Sequence, residues 1–199
     1  ELPENVESIN DIPPSTQAMI QRLHQIFWVQ LPRMISGQLL QSITLVGGVE
    51  KAQKVKAIAS QLRSQLNNVM YVGDSITDAQ ALRLVHKHGG LSIAFNGNRY
   101  ALEHANLAVL ADNNYILAVI AFLFCQHGTS YVLDCVQENR LTNLDNIDLE
   151  SALVTEYRNN YTLQKPRIEV LSPDNFFSLS QESTEFRRRV RGEAIGQLG

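Results

Sequence analysis

Apolar positions along the chain change their spacing near residue 42. Before that point they recur at helical intervals: Met19, Ile20, Leu23, Ile26, Phe27 and Leu31 share a face over residues 15–40, with Ser15 and Thr16 available as caps and Pro32 placed to kink or end the run. Residues 1–15 carry Pro3, Pro13 and Pro14 and read as an irregular lead-in. From residue 42 the pattern alternates. The spacing predicts strands at 42–46, 69–72, 91–95 and 107–111, and helices at 50–66, 77–88, 99–104 and 115–126. Gly89 and Gly90 close the second of these helices. Beyond Gly128 the pattern weakens to short helices at 129–137 and 149–158, a strand at 167–171 and a basic helix at 186–195.

Strands alternating with helices at this interval indicate a parallel sheet wrapped by helices, an α/β three-layer sandwich. Right-handed crossovers put every loop that follows a strand on one sheet edge, where open α/β folds bind ligands. The expected division is residues 1–41 as a helical lead-in or cap remnant, 42–126 as the α/β core, and 127–199 as an extension packed on it.

Composition narrows the picture. In 199 residues, 44% hydrophobic and 19% charged content is that of a globular chain rather than a disordered one. A net charge of −3 offers no bulk attraction to nucleic acid or to anionic membrane. The apolar run at 115–125 is shorter than the roughly 20 residues that span a bilayer and reads as a buried helix. Cys125 and Cys135 form no metal-type pair, and a reducing, cytoplasmic setting is expected. The first residue is Glu1 rather than methionine, which reads as a trimmed or truncated product.

The sharpest chemistry is VGDSITD at 72–78, directly after an apolar strand. Gly73 permits a tight turn, Asp74 lies at the strand tip, and Asp78 follows one helical turn later, so both carboxylates can face one small volume. Hard oxygens at a sheet edge suit Mg²⁺. The plainer alternative makes Asp74 or Thr77 a helix cap and Asp78 a first-turn acid. Lys51 adds a second element. It stands in the first turn of a helix, where the dipole disfavours a cation, and is better explained by a nearby anion. Lys54 and Lys56 keep open the alternative of a solvated lysine.

Together the segments GGVEKAQKVKAI at 47–58 and VMYVGDSITD at 69–78 resemble the third and fourth motifs of haloacid dehalogenase (HAD) superfamily phosphohydrolases. The continuation GLSIAFNGN at 90–98 and LAVLA at 107–111 is similar to the run that closes the sheet in phosphoserine-phosphatase-like and sugar-phosphatase-like members. The resemblance covers residues 42–126. The tail FRRRVRGEAIGQLG at 186–199 also resembles the ending of an archaeal branch of that superfamily.

The resemblance implies a HAD-like Rossmannoid core. It implies that Asp74 and Asp78 hold Mg²⁺, that Lys51 bridges nucleophile and phosphoryl group, and that a small phosphorylated substrate is hydrolysed through an aspartyl-phosphate. The nucleophile of such a site lies in a D-x-D motif, and the sequence contains none. Either that motif lies upstream of Glu1, in which case a missing fragment or a second subunit would complete the sheet, or the chain is a non-catalytic metal- or phosphate-binding relative. An assembly role for the basic C-terminal helix is a third reading. Retention of Asp74, Asp78 and Lys51 favours metal-dependent phosphoryl chemistry over dehalogenation. Among weaker candidates, Ser75, Asn96 and Asn98 border the same edge and could bind phosphate or substrate, although Asn-Gly is also an ordinary turn. The arginines at 187, 188, 189 and 191 read as a solvated or internally paired helix face rather than a nucleic-acid surface.

Overall fold

The structure, a computed structural model, describes residues 12–42, 47–142, 144, 155 and 165–192. It divides into two compact units, Glu1–Leu45 and Val46–Gly199.

In the first unit, helix α1 (Pro14–His24) runs into a π-helical stretch (Gln25–Gln30) and a 3₁₀ turn (Leu31–Arg33) before helix α2 (Ile35–Ser42). The break falls where Pro32 removes a backbone donor, and Met34 is extended. The apolar stripe predicted here exists, yet Met19, Leu23, Phe27 and Trp28 stay exposed. Ser42 ends α2 rather than starting a strand, and residues 43–46 of the predicted first strand lie outside the described residues.

The second unit begins with helix α3 (Gly48–Gln61). There follow β1 (Met70–Gly73), α4 (Ala79–Lys87), β2 (Leu91–Phe95), the short α5 (Arg99–Leu102) and β3 (Leu107–Leu110). The helical run α6 (Tyr115–Gln137), strand β4 (Arg167–Val170) and helix α7 (Phe176–Arg191) complete it. The sheet order is β1-β2-β3-β4. The first three strands are parallel, as their spacing predicts, and β4 is antiparallel to β3, pairing Val170 with Leu107 and Arg167 with Leu110. The sheet is therefore mostly rather than wholly parallel. The half-buried β4 occupies an edge, the usual place for an antiparallel strand on such a sheet.

Side-chain alternation along β2 and β3 builds two cores. Leu91, Ile93, Leu107 and Val109 face α6, where Ile116, Val119, Ile120, Leu123, Val132 and Cys135 are buried. Ala94 and Ala108 face the other way, onto Leu82 of α4, Ala101 and Leu102 of α5, and Leu179 of α7. The three layers are thus α6, the sheet, and α4 with α5 and α7. Helix α3 packs on α4.

The helices predicted at 115–126 and 129–137 are both present, joined as α6 across a break at Gly128, whose φ of 79° suits glycine alone. By length and composition this run is long and apolar enough to cross a membrane, and here its buried face packs on the sheet. The basic helix starts ten residues before its predicted start at 186 and is Phe176–Arg191, with 193–195 outside the described residues. Of the predicted helix at 149–158, only Thr155 is described, and it is helical.

Candidate functional site

The loops after β1 and β2 meet at the carboxyl edge of the sheet, where Asn98 N–H donates to the Asp74 carbonyl at 2.8 Å. The first loop is built around Asp78. Its side chain folds back against Gly73, where any Cβ would overlap it, which is why this strand must end in glycine. Oδ2 then accepts from the Asp74 N–H (3.2 Å), the Ser75 N–H (3.3 Å) and Ser75 Oγ (3.1 Å). Oδ1 accepts from Tyr71 OH (2.9 Å) and Lys51 Nζ (2.8 Å). The helix predicted to begin at Thr77 begins at Ala79 instead, because the carboxylate serves the preceding turn rather than the helix amides.

These contacts set the electrostatics. Asp78 is 6% exposed. Burial alone would raise its pKa, but the Lys51 ammonium and the hydrogen bonds from Asp74 N–H, Tyr71 and Ser75 outweigh that and hold it below the ordinary carboxylate range. Tyr71 moves the other way: burial, then its hydrogen bond to the Asp78 charge, raises the phenol well above its ordinary value. Lys51 also donates to Thr77 Oγ1 at 3.0 Å, so its ammonium is held between the loop after β1 and solvent, with 30% of its side chain exposed.

Asp74 has different partners. Its Oδ2 lies 2.8 Å from Arg191 Nη2 and 3.3 Å from Arg187 Nη1. Arg187 is 2% exposed and donates to the Asp74 carbonyl (2.9 Å) and the Asn96 carbonyl (2.6 Å). Burial and then the Arg191 charge lower its pKa, with Asp74 opposing them. One turn earlier, Ser183 Oγ donates to the Gly97 carbonyl at 2.5 Å. Residues 183, 187 and 191 recur every fourth position, so a single stripe of α7 ties down both loops.

The two asparagines are occupied structurally. Asn96, in the left-handed region at φ 46°, clips Ala111 with both ends of its amide: Nδ2 donates to the Ala111 carbonyl (2.7 Å) and Oδ1 accepts from its N–H (3.0 Å). Asn98 caps α5 through Oδ1, which accepts from the Ala101 N–H at 3.1 Å, while its buried Nδ2 has no partner among the described residues. Ser75 lies in the cluster, turned toward Asp78.

Of the predicted residues, the structure brings Lys51, Asp74, Ser75 and Asp78 together and places Asn96 and Asn98 on the adjoining loop. Sequence reading missed the site role of Ser183, Arg187 and Arg191. Arg187 and Arg191 are indeed internally paired, and Arg188 and Arg189 are exposed. The available signal was the fourfold spacing S-x₃-R-x₃-R within one helix.

The donor set can be tested against a divalent cation. Both oxygens of Asp78 are filled by five donors, so its carboxylate is committed to the loop and to Lys51. Asp74 is 36% exposed by side chain, and its Oδ1 has no described partner. Mg²⁺ requires only one or two protein carboxylates when waters and phosphate oxygens complete its shell, and Asp74 fits as one such ligand. Among the described residues no group of three His, Cys, Asp or Glu gathers to hold a metal by itself.

No family model matches the chain. It is 27% identical over 113 residues to a segment of a protein described as "Probable cadmium-transporting ATPase" from Alkalihalophilus pseudofirmus, a match spanning 52% of this chain and 15% of that protein. The structure of gene product AF1437 from Archaeoglobus fulgidus superposes with a TM-score of 0.64 at 20% identity, covering 94% of this chain and 56% of that one. The chain is thus an α/β fold with a four-stranded, mostly parallel sheet flanked by helices, spanning about half of a structurally similar protein and distantly similar to part of an ATPase.

Proposed function

We propose that the carboxyl edge of the sheet is the Lys51–Asp74 half of a HAD-type, Mg²⁺-dependent phosphoryl-transfer site acting on a small phosphorylated substrate. The observation that carries this reading is the 2.8 Å contact between Lys51 Nζ and Asp78 Oδ1. It fixes an ammonium, from the first turn of α3, beside the Asp78 carboxylate at the end of the loop that follows β1. A lysine so held presents a positive charge to an incoming phosphoryl group without needing to reorganise.

Each residue has a distinct task. Lys51 neutralises phosphoryl oxygens. Asp78, kept ionised by its donors, orients Lys51 and shapes the Asp74 turn. Asp74 is the ligand for Mg²⁺, which when bound supplies charge neutralisation for the phosphoryl group. Arg187 anchors the carbonyls of both loops and so fixes where Asp74 points. The nucleophile in this reading is an aspartate of a D-x-D motif on another segment of polypeptide, giving the aspartyl-phosphate of that chemistry.

One observation favours a second reading. Asp74 is already covered by two guanidinium groups, as suits a non-catalytic relative that binds phosphate or metal without turnover. Phosphate release from a panel of small phosphoesters separates the two. It is measured with and without Mg²⁺, on this chain and on a longer polypeptide that supplies a strand ending in D-x-D. Turnover by the longer form alone, lost in Asp74→Asn, supports the enzyme. No release above an EDTA control from either form supports the binding module.

A further inference from the structure

We propose that the first unit is a membrane-surface anchor, its exposed apolar helix faces lying in the headgroup region of an anionic lipid bilayer. The inference is independent of the phosphoryl-transfer reading and stands or falls without it.

Met19, Leu23 and Phe27 recur every fourth residue through α1 and the π-helical stretch, so they share a face. All three are exposed, as are the adjoining Trp28 (73%) and, around the start of α2, Met34 and Ile35 (81%). Neither α1 nor the π-helical stretch has a buried side chain among the described residues. One exposed apolar side chain is ordinary, but six between Met19 and Ile35 mark a contact surface. The second unit, by contrast, closes its apolar residues into two cores.

Charge selects what covers this face. Residues 12–42 hold Arg22 and Arg33, both exposed, and no aspartate or glutamate, although the chain as a whole carries −3. Other exposed polar positions there are uncharged, Gln21, Gln25 and Gln30 among them. A second copy of the segment would set arginine against arginine. An anionic bilayer offers phosphates to Arg22 and Arg33 and an apolar layer to Phe27 and Trp28 in one surface. An arginine stem can lie along that layer while its guanidinium stays among the headgroups, and an indole suits the same boundary. A helix face is a convex ridge, to which fluid lipid conforms without a matching groove. At 11 and 8 residues, α1 and α2 are each shorter than the roughly 20 needed to cross a bilayer, so the fit is along its surface.

Trp28 is the chain's only tryptophan, so its emission reports this face alone. The test titrates this chain with vesicles of phosphatidylcholine, and with vesicles of equal parts phosphatidylcholine and phosphatidylglycerol, and checks binding by co-sedimentation. We expect the mixed vesicles to shift Trp28 emission to the blue and to shield it from aqueous acrylamide. High salt weakens this binding, and phosphatidylcholine alone gives less of it. Phe27→Gln should lower the partition constant about tenfold, the scale of one buried aromatic side chain. Arg22→Gln should lower it about fivefold, the scale of one arginine at an anionic surface. Phe177→Gln, at a similarly exposed position of the second unit, should bind as wild type does. Each altered position is exposed, and circular dichroism checks that each variant is folded. Emission unmoved by either vesicle would overturn the anchor, and so would equal binding by wild type and Phe27→Gln or binding indifferent to lipid charge and salt. A blue shift that instead grows with protein concentration in the absence of lipid, with a dimer in sedimentation velocity, would assign the face to a second copy and overturn the bilayer.

Discussion

Arg187 Nη1 lies 2.9 Å from the Asp74 carbonyl and 2.6 Å from the Asn96 carbonyl, so one buried guanidinium joins the loops that follow β1 and β2. Its removal takes a donor from each carbonyl, leaving the Asp74 carbonyl the Asn98 N–H alone, and takes the charge from beside Asp74. Arg187→Met should destabilise the fold by about 2–4 kcal/mol, and Arg187→Lys by less, because an ammonium keeps the charge and N–H donors, though on a shorter side chain. Urea denaturation measures the difference. A cost within about 0.5 kcal/mol for the methionine variant, the range of an ordinary surface change, would show that the tie contributes nothing.

Asp78 should matter more to folding than Asp74, although both are aspartates of one motif. Five donors, two of them backbone amides, converge on Asp78. Asp78→Ala should cost about 2–4 kcal/mol, since those donors are left without an acceptor. Asp74→Ala should cost at most about 1 kcal/mol, its carboxylate being partly exposed. Thermal denaturation of the two variants side by side checks the order, and the reverse order would contradict the assignment of Asp78 as the organiser of the turn.

The same carboxylate predicts an acid limb. Its pKa is lower folded than unfolded, so the unfolded chain takes up the proton first. The stability it confers is complete above the ordinary aspartate value of 3.8 and is lost as pH falls through the lower folded value. Tyr71 acts at the other end. Its folded pKa is raised, so its contribution is complete below the ordinary tyrosine value of 10.0 and declines as pH rises beyond that. Stability measured from pH 2 to 11 should show both limbs. Asp78→Asn should flatten the acid one and Tyr71→Phe the alkaline one.

Asn96 separates architecture from ligand binding. Its amide is spent on Ala111 and its backbone sits at positive φ, which asparagine tolerates better than most residues. Asn96→Ala should therefore lower stability by about 1–3 kcal/mol while leaving phosphate affinity unchanged once the protein is folded. Calorimetric titration with inorganic phosphate at a temperature well below the variant's Tm makes the comparison.

Much of this was legible from residue order. The strand at 91–95 appears with its predicted bounds because it is apolar throughout and closed by Gly89 and Gly90 on one side and Asn96 and Gly97 on the other. The nearness of Lys51 to the Asp74 loop was expected from two strand-to-helix turns on one sheet edge, of which the second, after β1, lies among the described residues. What the sequence hid was long-range. Nothing local to 167–170 says that this strand returns antiparallel to β3, because that is decided by which sheet edge is open. A run of arginines likewise does not announce which members are buried. Arg187 and its neighbour Arg188 have identical local chemistry, and only the rotation of α7 on the sheet sends one to Asp74 and the other to solvent.

The most direct test of the half-site is binding of inorganic phosphate to this chain with and without Mg²⁺, measured by isothermal titration calorimetry. The account predicts that Mg²⁺ tightens phosphate binding by about tenfold or more, that Asp74→Asn removes this dependence, and that Lys51→Met weakens phosphate binding under both conditions. Phosphate affinity indifferent to Mg²⁺ and unchanged in both variants would contradict it.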